Sequence, residues 1–307
     1  MIQITSHEQH KPEYYTTREG VRAWKTHYIG FSPGQTDPAQ GWMLESAPGR
    51  VLQAHYHEVD QFQVVVEGEG LMGKHHVGPG YVHFSRAHTP YGPVVWGEQG
   101  MQLLTIRPSL DSAGGPKLMP ESREKLKKTA RNAFQLGLQV DFPDAESTMN
   151  IQPISGIQDD AGLSAHTITL KPGAQALAPD PSLGGGQWIL VMQGSLIHEG
   201  RNYPGFSIAE LTPDETAFRL QAGPQGAQVI VLSFSRRDRQ GVHSKAVPAA
   251  APATRTWLCE LCGFVYDEAA GMPAEGIAAG TRWEDVPDSW GCPDCSGSKA
   301  DFMMVEI

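Results

Sequence analysis

Over the first 240 residues, apolar positions fall in short runs that either alternate with polar ones or continue briefly before glycine or proline breaks them. GRVLQAHYH (49–57), QFQVVVEG (61–68), GYVHFS (80–85) and QLLTIRP (102–108) are the clearest of these runs. Alternation with period two places successive side chains on opposite faces, as a half-buried strand requires, and turn residues recur about every ten positions. One stretch has helical spacing instead. Pro120 and Glu121 open PESREKLKKTARNAF, and Leu126, Ala130, Ala133 and Phe134 form one apolar face, so a connecting helix is expected within 116–136. The six Lys and Arg from Lys117 to Arg131 read as a solvated face or as a docking surface for an acidic partner.

The pattern repeats. PGRVLQAHYHEVDQFQVVVEGEG (48–70) and PGAQALAPDPSLGGGQWILVMQGSL (172–196) share a Pro-Gly opening, a Gln-aromatic pair, an apolar strand and a glycine. Gly49, Gln61 and Gly68 correspond to Gly173, Gln187 and Gly194, and PGYVHFSRAHTPYGP (79–93) matches PGFSIAELTPDETAF (204–218). Two tandem copies of one β-domain follow from this. An alanine–proline stretch at 241–254 then reads as a semi-extended linker to a distinct tail, 255–307.

Composition agrees with many turns: Gly 34 and Pro 23 together make 57 of 307 residues. No run approaches the ~18 apolar residues of a membrane span, and the start, MIQITSHEQHKPEYY, has no basic end or apolar segment of a signal peptide. A cytoplasmic protein is expected. Net charge is −10, of which the tail carries −7 (ten acids against three bases), leaving −3 for residues 1–254. That balance argues against a nucleic-acid partner, which calls for a basic face.

All four cysteines, Cys259, Cys262, Cys292 and Cys295, lie in the tail, as C-x2-C, 29 residues, C-x2-C. Two such knuckles supply four thiolates to one tetrahedral metal, and spacing alone does not separate zinc from iron. The surrounding residues do. WLCELCGFVYDEAAG and GIAAGTRWEDVPDSWGCPDCSGSKADF closely resemble rubredoxin over about 53 residues, with Glu268 and Ser296 where that family usually has proline and glycine. The resemblance implies an Fe(Cys)4 one-electron carrier. Trp257, Tyr266, Trp283, Trp290 and Phe302 are expected to form its small core, and Cys262 with Gly263 fits a knuckle whose backbone N–H groups point at sulfur.

The repeated part resembles the cupin superfamily. Gly49, His55, His57, Gln61 and Gly68 fit its first motif position for position, with Gln61 in place of the usual glutamate. The second motif is weaker: Gly80 is correctly spaced before Thr89-Pro90-Tyr91, but Tyr91 occupies the usual third-histidine place. The resemblance implies a mostly β protein of two double-stranded β-helix barrels: a metal-binding cupin at 1–115, a degenerate one at 137–240 with Pro179 and Pro181 in place of the histidine pair, and the rubredoxin-like domain at 255–307. The second barrel reads as structural, or as the surface of a homodimer.

His55 and His57 are two apart on a strand, so both rings leave one face and form a chelating pair for Fe, the favoured ion, or for Cu or Mn. His83, His88 and Tyr91 are candidate third ligands, and Gln61 is expected to face substrate or support the ligands, so Gln61 and Tyr91 are the candidate catalytic pair. His83 shares strand parity with Ser85, opposite Val82 and Phe84. An isomerase or epimerase would gain nothing from an electron carrier, whereas a monooxygenase needs two external electrons. The expectation is therefore a metal-dependent oxygenase, acting with O2 on a small organic substrate, an aromatic one being an option, and fed through the tail by an NAD(P)H-dependent rubredoxin reductase. A self-sufficient dioxygenase whose resting metal is re-reduced by the tail, and a non-catalytic redox or ligand sensor, are the alternatives.

Overall fold

The computed structural model describes residues 2–17, 20–36, 38–111, 115–126, 133–144, 148–236, 256–259, 261–262 and 264–305. The linker expected at 241–254, and Gly263, lie outside them. No helix among the described residues is long and apolar enough to cross a membrane.

Two large antiparallel sheets form the body of the protein. The first runs in the order Gln135–Gln139, Tyr81–Ser85, Gln61–Met72, Val94–Arg107, Gln40–Ser46, Arg22–Ile29, Glu13–Thr16. The second runs Gln3–Thr5, Ile208–Leu211, Gln187–His198, Arg219–Ser233, Ser164–Leu170, Met149–Gln158. The repeat is visible in the long central pair of each sheet, Gln61–Met72 beside Val94–Arg107 and Gln187–His198 beside Arg219–Ser233. Gly68 and Gly194 occupy matching irregularities in those pairs, both with φ near +70° (75° and 70°). At each, a side chain would run into a backbone carbonyl across the ladder, that of Gly100 or Gly226. Glycine is therefore needed twice over, for the left-handed backbone and for the close approach.

Period-two alternation divides each barrel between two cores. In Gln61–Met72, Phe62, Val64 and Val66 face outward into a cluster with Phe84, Leu104 and Ile106; in the second barrel Trp188, Leu190 and Met192 join that same cluster. The largest core is thus the seam between the barrels. Inward positions build separate interiors, around Ile189, Val191 and Leu220 in the second barrel and around Trp42, Val65 and Leu103 in the first. The second interior is closed by apolar side chains, and its buried Gln187 donates to the Pro179 carbonyl (3.0 Å) and to Ser233 Oγ (3.3 Å). In the first, the inward positions Gln61, Gln63, Thr105 and Arg107 are polar and line a cavity.

The helix expected over 116–136 is not found among the described residues. Lys117–Leu118 is a short strand against His55–Tyr56, Arg123–Lys125 is a single 3-10 turn, and Gln135–Gln139 is a strand. Residues 127–132 lie outside the described set. Both described ends of the segment are held by ladder hydrogen bonds to the first barrel, which outweigh a modest helical preference at those positions. The barrels also exchange edges relative to the boundaries expected from sequence. Gln3–Thr5 pairs with Ile208–Leu211 of the second sheet, and Gln135–Gln139 pairs with Tyr81–Ser85 of the first.

The tail is a three-stranded sheet, Val265–Asp267, Thr256–Cys259, Phe302–Val305, with its own core. Trp257 stacks on Trp283 (ring centroids 5.1 Å apart), and Tyr266, Trp290 and Phe302 close around Trp283, as the sequence implied. Glu268, where proline is usual, is 1% exposed and accepts from Trp257 Nε1 (3.0 Å) and the Trp283 amide (2.9 Å), so this departure has become a buried brace.

Candidate functional site

Two sites stand close together. In the tail, the four cysteine sulfurs lie within 4.8 Å of one another, with Cys259–Cys295 at 3.6 Å and Cys262–Cys292 at 3.5 Å. Sulfurs ~2.3 Å from one tetrahedral ion would be ~3.8 Å apart, so the cage matches a four-coordinate metal. Amides of Leu261 and Cys262 point at Cys259, that of Phe264 at Cys262, Asp294 at Cys292 and Gly297 at Cys295. Hydrogen bonds of this kind raise the potential of an iron–thiolate centre. Contact with its neighbours Cys262 and Cys292 holds the Cys259 thiol down, while the same contacts push Cys262 and Cys292 up. Four thiolates at this spacing call for a cation.

The second site is the cavity of the first barrel, about 360 Å³, with His55, His57, Gln61 and Tyr91 in its wall. Both histidines are buried. His55 Nδ1 donates to the Gln53 carbonyl at 2.7 Å, which leaves the Nε2 lone pair to accept from the Tyr91 hydroxyl at 2.8 Å. Gln61 Nε2 donates in turn to that phenol oxygen, and Gln61 Oε1 accepts from Arg107 Nε (3.2 Å) and Nη2 (3.0 Å). His57 Nδ1 lies 2.9 Å from Asp111 Oδ2. Burial alone would raise the Asp111 carboxyl, but the His57 hydrogen bond and the Arg107 charge hold it below its ordinary value. Arg107 Nη2, which only donates, lies 3.0 Å from the same nitrogen; the carboxylate contact is the shorter and only accepts, so the proton is assigned to His57 Nδ1, which leaves Nε2 to bind. A hydrogen bond that fixes the far nitrogen of each ring is the usual support of a metal-bound histidine. Burial, with the neighbouring Arg107 charge, pushes His57 down to about 4, and burial followed by the His57 charge lowers His55, so both rings are neutral near pH 7. Burial raises the Tyr91 phenol.

Of the other sequence candidates, His83 stands beside Tyr91, with ring centroids 4.8 Å apart. His83 faces the barrel interior, as its parity implied, but Nδ1 meets Gln63 at 3.1 Å and Nε2 meets Gln135 at 2.9 Å, and it does not line the cavity. His88, in a left-handed turn (φ 60°), stands beside Tyr56 and is likewise outside the cavity wall. Gln61 is not available as a ligand through oxygen, which Arg107 occupies. Of the three candidates for third ligand, Tyr91 is the one brought to the histidine pair. His75 and His76 are exposed at the hairpin. Arg107 and Asp111 were missed. Arg107 had a signal, an inward charged position on an otherwise apolar strand; Asp111 lies in a loop with none.

The tail is seated against this barrel. Lys74 Nζ pairs with Asp294 Oδ1 at 2.6 Å and lies over the Phe264 ring at 6.0 Å, and Arg123 Nη2 pairs with Asp301 Oδ1 at 3.1 Å. Between them a cleft of about 220 Å³ has Tyr81, Tyr91 and Gly92 on one side and Cys262, Phe264 and Asp294 on the other. Tyr91 therefore lines both the histidine cavity and the cleft that reaches the cysteine cage.

Comparison with known proteins follows the same division. Residues 256–302 match the rubredoxin family model. The tail is 64% identical over 53 residues to Rubredoxin-2 of Pseudomonas aeruginosa, spanning 96% of that protein and 17% of this chain. Through its C-terminal domain, this chain belongs to the rubredoxin family. The rubredoxin of Acinetobacter baylyi is 57% identical over 53 residues, spanning 98% of that protein and 17% of this chain. Rubredoxin membership, with the four-sulfur cage, supports iron at this site. The larger part is similar in fold to the bacterial pirin YhhW in complex with nickel(II) from Escherichia coli, with TM-score 0.50, 12% identity, and 77% of this chain and 100% of that one covered. It is similar too to a candidate dioxygenase from Nostoc punctiforme, with TM-score 0.53, 12% identity, and 82% and 87% covered. The larger part thus shares the two-barrel β fold of these proteins and is fused to a rubredoxin domain.

Proposed function

We propose that the protein is a metal-dependent cupin oxygenase acting on a small organic substrate, with electrons delivered by its own rubredoxin domain. The observation that carries this reading is the position of Tyr91, whose side chain lines both the histidine cavity and the cleft leading to Cys262. His55 and His57 hold the second metal through Nε2, with Tyr91 as third ligand. His55 Nε2 and Tyr91 Oη, 2.8 Å apart, would both be available to one ion. A redox-active ion there, iron by preference, supplies the reduction of O2. Asp111 fixes the His57 tautomer, and Gln61 and Arg107 orient the Tyr91 oxygen. The aromatic wall of Phe31 and Trp42 keeps the cavity poor in water. A four-sulfur cage has no open position for O2, so its part is electron transfer alone.

The test is O2 consumption by the full chain with NADH and a rubredoxin reductase across a substrate panel. Deleting residues 243–307 should abolish NADH-coupled turnover. Adding the tail as a separate protein should restore it only at high concentration, because a short tether supplies an effective concentration of roughly millimolar. Full multiple turnover by the deletion protein without reductant would overturn electron delivery and leave a self-sufficient dioxygenase.

A further inference from the structure

The histidine cavity carries more positive charge than its own acid balances. Lys25, Arg50 and Arg107 line it, and among the described residues Asp111 is the one acid in its lining. Three cations against one carboxylate leave two charges uncompensated, and Asp111 is already shared by His57 (2.9 Å) and Arg107 Nη1 (3.3 Å). Arg50 is 8% exposed; it donates to the Tyr15 hydroxyl at 3.3 Å and lies over the rings of Trp96 (4.7 Å) and Tyr15 (5.9 Å), none of which is an anion. Lys25 lies 5.6 Å from the Trp42 ring, and burial, followed by the charges of Arg107 and Arg50, lowers its affinity for a proton. Glu13, on the adjacent strand, partly offsets this, but its side chain is 73% exposed and does not line the cavity. Holding like charges together in a half-closed space is unfavourable, and an entering anion relieves it.

The rest of the wall sets the shape of that anion. Tyr15, Phe31, Trp42 and Leu52 give an apolar lining, and about 360 Å³ is room for a molecule of about one ring. A guanidinium fork pairs with a planar carboxylate through two parallel hydrogen bonds. We infer that the cavity takes a small organic carboxylate, its charged end held by Lys25 and Arg50 and its apolar body against Tyr15, Phe31 and Trp42. This rests on the reading of the cavity as the reaction site and supplies its substrate class.

Binding to the full chain as purified, without O2 or reductant, tests it, with Trp42 fluorescence and calorimetry as readouts. The probes are benzoate, salicylate and cinnamate, their neutral amides, and inorganic phosphate. At least one carboxylate should bind saturably and at least about tenfold more tightly than its amide, with phosphate weaker than either. Lys25→Met should weaken that carboxylate about tenfold and leave the amide unchanged, whereas Lys25→Arg should keep most of the affinity. Circular dichroism separates these effects from misfolding. A carboxylate bound only as a metal ligand would be indifferent to Lys25→Met. Indifference of that kind, equal binding of acid and amide, preference for phosphate, or no binding by any carboxylate would each overturn the inference. Since no turnover is involved, carboxylate binding without NADH-coupled oxygen uptake would sink the oxygenase reading alone, and turnover of a neutral substrate would sink the charge argument alone.

Discussion

At the scale of single residues, neutral imidazoles in the first barrel tie its chemistry to pH. His83 is 1% exposed, and burial pushes it down to about 4, whereas in the unfolded chain it titrates near 6.5. Between those values the unfolded state binds the extra proton, so stability falls as pH drops from 6.5 to 4, by roughly 3 kcal/mol from this residue at the lower end. Urea unfolding from pH 7 to pH 4.5 should therefore show a slope that His83→Asn reduces by about one proton. Parallel curves for the two proteins would contradict the assignment. The metal-ligand proposal makes a separate prediction. His55→Ala and His57→Ala should each remove the barrel metal and leave the tail iron, Asp111→Asn should weaken the barrel metal roughly 10–100-fold, and changes at Pro179 or Pro181 should leave metal content alone. Metal-to-chain ratios measured by elemental analysis decide this.

At the scale of elements, the repeat glycines are the clearest case of a sequence signal with one physical cause. Gly68 and Gly194 combine a left-handed backbone with a carbonyl in the place of a side chain. Gly68→Ala and Gly194→Ala should each destabilise by about 2 kcal/mol or more, seen as a lower thermal midpoint, while Gly49→Ala, where no atom approaches, should cost only the strained φ of 75°. The strand pattern of the first 240 residues was legible because alternation is a local property. The described ends of 116–136 depart from the expected helix for the complementary reason. The segment's apolar spacing suits a helix, but Lys117–Leu118 and Gln135–Gln139 are taken up as partners by His55–Tyr56 and Tyr81–Ser85, strands distant in the chain.

At the scale of the whole molecule, the pair of β-barrels meets the acidic rubredoxin domain through cationic side chains such as Lys74 and Arg123. Lys74 is 46% exposed at its pair with Asp294, so the contact is weak and salt-sensitive, worth about 1 kcal/mol or less. Lys74→Glu should separate the domains, as a larger radius of gyration in solution scattering, and the exchange Lys74→Glu with Asp294→Lys should bring them back. Docking of the native chain should weaken as salt rises past ~0.1 M, where the screening length is ~10 Å. Unchanged dimensions in Lys74→Glu would remove the ion pair from the docking account. With Asp294 and Asp301 turned to the barrel, Glu275, Glu284, Asp285 and Asp288 stay exposed on the tail, and a reductase of the kind proposed would be expected to present basic residues to it.

The sequence by itself determined what depends on spacing along the chain. The C-x2-C knuckles and their aromatic companions identify the rubredoxin cage, the repeat identifies two similar β-domains, and the spacing of His55 and His57 sends two rings to one side of the chain. All of these are local, because the ligands of a knuckle and the face of a strand are fixed by neighbours. Only the tertiary structure decided what depends on distant strands meeting. His83, His88 and Tyr91 were all candidates from their strand and turn positions. Gln63 and Gln135 engage both ring nitrogens of His83, which stands beside Tyr91, while Gln61 and His55 hold Tyr91 itself in the cavity wall. Arg107 and Asp111 join the site by folding alone, as do Lys25 and Arg50, whose convergence no period in the sequence records.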